Sequence, residues 1–298
     1  MYLVDKRVIR HMGSMPNKTT PLSKTQWAAI DKRVRKVDED RWISSRYAPA
    51  AQRKALTALY ALAYELARVR LAVSEETLGL IRFQWWREAL SELEEGKAPR
   101  EHDVCLALAE EVAAGRLKPA AMQRLVDGYE AAFVAEDRSK EPEAWLALIA
   151  ASMLTSHHDW AEEIGEVAPA YAALRRSETK AFGPHVKPVP KSIRPAVAHY
   201  RLRKHYSEKG EPDAVTKRLI TQTGIVLESL NGLAIFPAAD TLQSLRQIPV
   251  IEGDHGFDTM LEQLINQLQA KAQLEFGGHD MRDKALKLLC TARVAFNR

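Results

Sequence analysis

The sequence predicts an all-α protein built as one large helical bundle. Apolar residues recur at spacings of three and four along most of the 298 positions, which is the repeat of an amphipathic helix. Strict alternation of apolar and polar residues, which indicates a half-buried strand, is nearly absent. Glycine and proline separate many of the periodic blocks, as they do between the helices of a bundle. A chain of this length is ample for a buried core.

Each periodic block gives one predicted helix. A long helix is expected over residues 49–71, since Pro49 is favoured in a first turn and apolar residues follow on one face. A second helix is expected over residues 74–95, with Ser74 as N-cap, acidic residues in the first turn and Gly96 at its end. The remaining predicted helices cover residues 101–114, 119–135, 141–156, 159–178, 192–207, 212–233, 256–275 and 280–296.

The chain is expected to form a single domain over residues 22–298. The segment 181–191, rich in proline, is the best internal hinge, but a single bundle fits the pattern better than two domains. Residues 1–21 are expected to be a disordered or miscalled extension, because Met12 and Met15 offer alternative starts.

Composition and charge exclude several classes of protein. Hydrophobic residues make up 46% of the chain and charged residues 28%, as in ordinary soluble proteins. The net charge of +4 is too small to indicate a nucleic-acid binder. No uninterrupted apolar run approaches the ~18 residues of a membrane-spanning helix, and no secretory signal is evident. Cys105 and Cys290 lack metal-binding spacing, which favours free thiols in a reducing cytoplasm.

Residues 40–95 carry a distinctive pattern. Asp40-Arg-Trp-Ile-Ser-Ser-Arg-Tyr-Ala-Pro precedes a Tyr-Ala-Leu-Ala-Tyr helix that starts at Tyr60, and Gln84-Trp-Trp-Arg lies on the next helix. This segment resembles the opening of the squalene/phytoene synthase family. The resemblance is weaker over residues 141–178 and is not traceable beyond about residue 235. It implies the helical bundle of isoprenoid (terpenoid) synthases, in which magnesium held by carboxylates neutralises a leaving diphosphate.

The acids of the first magnesium cluster are absent here. Active members of the family continue the Tyr-Ala helix into an Asp-Asp-x-x-Asp run. By register, its three aspartate positions fall at Ala67, Arg68 and Leu71.

The second magnesium cluster has also lost its acids. In the family it reads Gly-x-Ala-x-x-x-x-Asn-x-x-Arg-Asp-x-x-x-Asp, and Gly165 and Arg175 fit this pattern. The asparagine position, however, is Ala172. The two aspartate positions are Arg176 and Lys180, so cations stand where the family places acids.

The resemblance therefore implies a non-catalytic member of the family, with no catalytic residue, metal or cofactor, that binds an isoprenoid or a protein partner. Glu65 and Glu178 are the nearby remaining acids, and two carboxylates at unmatched positions make a weak metal site. Glu65-Leu-Ala and Val73-Ser-Glu resemble the phytoene-synthase-type mitochondrial complex I assembly factors, a non-catalytic branch. The alternative is an active head-to-head prenyltransferase that uses magnesium.

Seven residues are candidates for contact with a diphosphate or isoprenoid, in a cleft between the predicted helices 49–71, 74–95 and 159–178. The resemblance places Arg53 and Lys54 near a substrate diphosphate, although a solvated helix face would explain these two basic residues equally well. Trp85 and Trp86, by contrast, are expected to pack in the core. The candidates are Arg53, Lys54, Tyr60, Tyr64, Gln84, Arg87 and Arg175.

Residues 179–207 contain no acid, while lysine and arginine accumulate there. Ile193 to Tyr206 combines apolar residues with these cations, and such a basic amphipathic element can lie on an anionic membrane. We therefore expect peripheral contact with the inner membrane surface. A solvated basic face is the alternative.

Overall fold

The computed structural model describes residues 21–184, 189–214, 216, 217, 220 and 221. These residues form helices joined by short turns, and no strand occurs among them. The predicted all-α class is therefore confirmed. The predicted helices 256–275 and 280–296, most of 212–233 and the extension before residue 21 lie outside the described residues.

The α-helices are α1 (Lys24–Val37), α2 (Glu39–Ser45), α3 (Ala50–Ala67), α4 (Val69–Ala72), α5 (Glu76–Glu94), α6 (Asp103–Ala113), α7 (Pro119–Val134), α8 (Glu143–Ser152), α9 (Ala161–Arg175), α10 (Arg194–Val197) and α11 (Arg203–Lys209). Short 3₁₀ helices span Arg138–Lys140, Lys191–Ile193 and Ala198–Leu202.

Helix α3 lies at the centre of the described fold. Ten of its residues are buried, and Leu56, Leu59 and Leu62 are fully enclosed. Helices α1, α2, α6, α7 and α8 all pack against it. Residues 55–63 are buried on every side of the helix, so this part of α3 forms the middle of the core.

The outer helices pack mainly in pairs, α5 against α7 and α8 against α9. Gly128 lets α7 approach the start of α8, because a Cβ atom there would lie 2.6 Å from the Cβ of Pro142. None of the described helices combines the length and the apolar character that crossing a membrane requires.

The predicted helix ends differ from the observed ones in three places. The helix expected over residues 49–71 is interrupted at Arg68, where α3 ends and the short α4 begins. Ser74 is not the N-cap of α5; Glu75 holds that position and makes no side-chain capping bond. The helix expected over residues 192–207 is divided into short α and 3₁₀ turns. Between residues 101 and 178, the predicted helices are confirmed, with ends within four residues.

Helices α1 and α2 were not predicted. A capping box marks the start of α1, where Ser23 and Gln26 exchange side-chain-to-backbone hydrogen bonds. The Ser-x-x-Gln spacing is a known start signal and was present in the sequence.

Candidate functional site

A cavity of about 330 Å³ opens between α2, α3, α7, α8 and α9. One wall carries apolar and aromatic residues of α3, and the others carry most of the charge. Its charged lining consists of Asp38, Arg41, Arg68, Arg138, Glu141, Glu143, Arg175, Arg176 and Glu211.

Residues that the family resemblance assigns to the two acidic motifs meet in this cavity. Ala67, Arg68 and Leu71 line it from α3 and α4, and Ala172 and Arg176 line it from α9 and the residue that follows. Four of the five positions that the family resemblance assigns to motif aspartates therefore line this cavity, and Lys180 is the exception. Five guanidinium groups and four carboxylates surround it.

Arg41 joins α2 to α8 beneath the cavity. Its Nη1 donates to Asp38 at 2.7 Å and its Nη2 to Glu143 at 2.5 Å, and the residue is only 7% exposed. Burial alone would lower the pKa of the guanidinium, but these two carboxylates outweigh it and raise that pKa. Arg41 therefore stays charged inside the protein.

Arg175 joins α9 to α2. Its guanidinium lies 2.8 Å from Asp38 and 3.8 Å from Asp40. Burial would raise the pKa of the Asp38 carboxyl, but Arg175 and Arg41 together hold that pKa well below its usual range. Asp38 is therefore an ionised carboxylate between two guanidinium groups.

Asp40 is a fully buried carboxylate that several elements share. The hydroxyl of Tyr171 on α9 donates to it at 2.5 Å, and that of Tyr206 on α11 at 2.6 Å. The Lys217 ammonium lies 3.2 Å away. A buried carboxylate is costly unless it is paired, and these partners supply the pairing.

Arg176, which the family resemblance assigns to a motif aspartate position, is paired with several acids. Its guanidinium lies 3.3 Å from Glu141, 3.5 Å from Glu143 and 2.7 Å from Glu178. Burial raises the pKa of Glu141, against the lowering effect of Arg176 and Arg138. The guanidinium group thus lies between Glu141 and Glu143 at the start of α8 and Glu178 after the end of α9.

Three buried polar side chains near Arg41 have no hydrogen-bond partner among the described residues: Tyr60, His199 and Tyr200. Tyr60 lines the cavity, and the Arg41 guanidinium lies 5.9 Å from its ring. His199 packs against the rings of Tyr200 at 4.4 Å and Tyr171 at 4.9 Å. Burial lowers the pKa of His199 well below its ordinary value, and the charge of Arg41 adds to the effect, so the imidazole is neutral.

Part of the chain resembles a known protein family. Residues 34–145 match the family model described as squalene/phytoene synthase. Over these residues the chain is similar to squalene/phytoene synthases. The segment contributes α2, α3 and α7, which form much of the cavity. No solved structure matches the chain.

The curated relatives carry one name. NADH dehydrogenase (ubiquinone) complex I, assembly factor 6, of Rattus norvegicus is 40% identical over 60 residues, which is 20% of this chain and 18% of that protein. The Homo sapiens protein is 38% identical over 60 residues, with the same coverage. The Bos taurus protein is 34% identical over 68 residues, or 23% of this chain and 20% of that protein. The chain thus matches about a fifth of the length of these relatives.

Three of the seven candidate ligand residues lie at the cavity, namely Tyr60, Tyr64 and Arg175. Arg53 and Lys54 lie elsewhere. Arg53 donates to the backbone oxygens of residues 46 and 48, and the Lys54 ammonium lies 5.0 Å from the Trp27 ring.

The remaining candidates, Gln84 and Arg87, lie on α5. Gln84 donates to Glu88, and Arg87 forms ion pairs with Asp127 and Glu130 on α7. The sequence placed the helix that became α5 along the predicted cleft. In the structure, Tyr129 of α7 lines the cavity and no residue of α5 does. The reason is that α5 packs on the outer side of α7.

The two acids left near the family motifs do not meet. Glu65 pairs with Arg33 at 3.5 Å and Arg68 at 3.4 Å, and it lines a separate small pocket. Glu178 pairs with Arg176. Among the described residues, no group of three or more histidine, cysteine, aspartate or glutamate side chains is arranged to hold a metal ion. Lys180 is exposed and does not line the cavity.

Sequence reasoning missed six charged residues of the site: Asp38, Arg41, Arg138, Glu141, Glu143 and Glu211. Asp38 caps α2 by accepting from the backbone NH of Arg41. Glu141 and Glu143 flank a proline that was interpreted only as a helix interruption. Acids beside helix starts are a local signal, but nothing local shows that these helix starts face one another.

Proposed function

We propose that this protein is a non-catalytic member of the squalene/phytoene synthase family, acting as an isoprenoid-binding or assembly-type protein. The observation that carries the proposal is the cavity where both motif positions converge. Ala67, Arg68 and Leu71 line it on one side and Ala172 and Arg176 on the other, so none of the five is an acid.

The chemistry of the family supports this proposal. Ionising a prenyl diphosphate requires magnesium ions that neutralise the leaving group, and hard cations need clustered carboxylate oxygens. Here the carboxylates Glu141 and Glu143 are already paired with Arg41 and Arg176. A magnesium ion would have to displace these guanidinium groups from a buried site, which is unfavourable.

A diphosphate-release assay tests the absence of catalysis. Purified protein with magnesium and farnesyl or geranylgeranyl diphosphate should release no more diphosphate than a protein-free blank, whereas an active phytoene synthase in the same buffer should release it readily. Chelator-sensitive release by this protein would refute the proposal and support the prenyltransferase alternative.

The assembly role rests on the names of the relatives, which are complex I assembly factors. We propose that this chain likewise engages a protein partner during assembly of an NADH dehydrogenase. Deleting its gene in the native host should lower the amount of assembled enzyme on native gels, and the intact gene should restore it. Normal assembly in the deletion strain would contradict this role.

Membrane contact needs a different surface from the one expected. Ile193, Val197, Tyr200 and Leu202 are buried in the protein, so the apolar side of this stretch cannot lie on a membrane. Arg203 is also buried and donates to the backbone oxygen of residue 184 at 2.7 Å. The amphipathic pattern reflects packing against the core.

We propose that the protein is cytoplasmic and reaches the anionic membrane surface through exposed lysines of the same region. Phe182, which is 42% exposed, lies in this region too. The lysines are Lys180, Lys191 and Lys204. Each cation near an anionic surface contributes ~1 kcal/mol, screened by salt. Changing all three to serine should reduce sedimentation with phosphatidylserine vesicles at low salt.

The matched control changes the same number of exposed lysines on α1, at positions Lys24, Lys32 and Lys36, to serine. This variant has the same net charge and should sediment like the wild type. Equal loss in both variants would show an effect of net charge alone. No sedimentation of the wild type at low salt would end the membrane proposal.

A further inference from the structure

One side of the cavity is an apolar path along α3 and α4. Tyr60, Ala63, Tyr64, Ala67 and Leu71 recur at spacings of three and four and all line the cavity. At 1.5 Å per residue the path runs for about 16 Å. It leads from Tyr60, which is 3% exposed, to Leu71, which is 86% exposed. A hydrocarbon chain lying on this path would connect the interior with the surface.

A buried polar group without a hydrogen-bond partner lies at the inner end of this path. The Tyr60 hydroxyl has no hydrogen-bond partner within the part of the chain that the structure describes. Burial raises the pKa of Tyr60 well above its ordinary value, so the hydroxyl keeps its proton and remains an uncharged donor. A buried hydroxyl without a partner is costly, and a ligand oxygen in the cavity would satisfy it.

The charges around the cavity are already matched to one another. Each lining arginine has a carboxylate partner within 4 Å: Arg41 with Asp38 and Glu143, Arg68 with Glu65, Arg138 with Glu141, Arg175 with Asp38, and Arg176 with Glu141 and Glu143. An entering diphosphate would have to take guanidinium groups away from these acids. An uncharged ligand would leave every pair intact.

From this combination we propose that the cavity binds an uncharged amphiphile with one hydroxyl or carbonyl oxygen at the end of a hydrocarbon chain. The Tyr60 hydroxyl bonds to the oxygen, and the chain lies on the path toward Leu71. A volume of about 330 Å³ is in the range of small-ligand sites. The inference rests on the proposed non-catalytic function, since it assigns an uncharged ligand to the same cavity.

Farnesol and farnesyl diphosphate form a suitable pair of probes, because they share one chain and differ only in the charge of the head group. Isothermal titration calorimetry, with farnesol kept below its aggregation concentration, should give tighter binding for farnesol than for farnesyl diphosphate, with or without magnesium. Tighter binding of the diphosphate would overturn the inference.

Two variants locate the ligand oxygen. Tyr60→Phe removes only the hydroxyl and should weaken farnesol binding about three- to tenfold, the range for a single neutral hydrogen bond. Tyr200→Phe is the matched control: that hydroxyl is also buried and lacks a partner among the described residues, but Tyr200 does not line the cavity. It should leave farnesol affinity unchanged. Circular dichroism confirms that both variants fold.

The outcomes separate the inference from the proposed function. Equal effects of the two variants, or no saturable binding of farnesol to the wild type, would overturn the inference and leave the non-catalytic role standing. Diphosphate release from farnesyl diphosphate would instead refute the proposed function itself.

Discussion

Arg41 is a buried cation whose charge is neutralised by two carboxylates. It is buried between Asp38 and Glu143, in contact with both. Replacing it by alanine leaves these carboxylates with fewer cations in a poorly solvated site. We expect Arg41→Ala to lower the free energy of unfolding by about 3 kcal/mol, measured by urea denaturation.

The control for this prediction is Arg87→Ala. Arg87 also pairs with two acids, but its side chain is 28% exposed, and those of its partners Glu130 and Asp127 are 24% and 61% exposed. Pairs that water can reach contribute little, so we expect a loss below about 1 kcal/mol. If both variants lose the same stability, burial of the ion pair is not what makes Arg41 important.

We expect His199 to make the stability of the protein depend on pH. The folded protein holds this imidazole neutral, because burial and Arg41 lower its pKa. Below its ordinary pKa of about 6.5, the unfolded chain binds a proton that the folded protein does not bind. The free energy of unfolding should therefore fall between about pH 6.5 and about pH 5, by up to ~1.4 kcal/mol per pH unit.

His199→Phe keeps an aromatic ring beside Tyr171 and Tyr200 and removes the titration. Its unfolding free energy should be less dependent on pH over this window than that of the wild type. His157→Gln, at an exposed position, should retain the wild-type slope. A wild-type slope in His199→Phe would show that other groups cause the acid sensitivity.

Among single residues, the sequence predicted only those cavity residues that lie on a helix with clear apolar spacing or that match a family motif. Tyr60 and Tyr64 are four apart on α3, and Arg175 matched a motif. Arg41 and Glu143 could not be predicted as a pair, because 102 positions separate them. Packing of α2 against its neighbours brings them together, and no periodicity encodes that.

Two glycines test how closely the helices approach one another. A Cβ at Gly128 would lie 2.6 Å from the Cβ of Pro142, whereas a Cβ at Gly165 would have nothing within 4 Å. Gly128→Ala should therefore force α7 away from the start of α8 and lower the free energy of unfolding by about 1–3 kcal/mol.

Gly165→Ala is the counterpart on α9. Alanine is the better helix former and meets no neighbour, so stability should rise by about 0.5–1 kcal/mol. Thermal unfolding of both variants gives the comparison. A loss of stability in Gly165→Ala equal to that in Gly128→Ala would mean that contact with Pro142 is not the cause.

Helix periodicity predicted where most elements lie but not how each one ends. The break at Arg68 has no glycine or proline, and its backbone remains near helical values, so sequence rules give no signal for it. Between residues 191 and 202, by contrast, the sequence carries a helical signal but does not form one continuous helix. The apolar spacing of these residues is helical, but 3₁₀ geometry alternates with α geometry there.

For the molecule as a whole, composition and periodicity predicted the helical class, and the family resemblance predicted a cleft between the helices 49–71, 74–95 and 159–178. The resemblance did not predict what would fill the place of the acids. Arg176 could have been a solvated cation, but Glu141 and Glu143 lie against it. The pairing of this guanidinium with carboxylates follows from folding, because a buried charge is stable only beside an opposite charge.

Asp40 has a consequence for the order of folding. Its two tyrosine donors lie 131 and 166 positions later in the chain. Contacts between such distant positions form slowly, since a long loop must close before they stabilise anything. While the protein is being synthesised, α2 has to keep this carboxylate in water until α9 and α11 have emerged. The interior around Asp40 is therefore completed late, after nearly all of the described chain has left the ribosome.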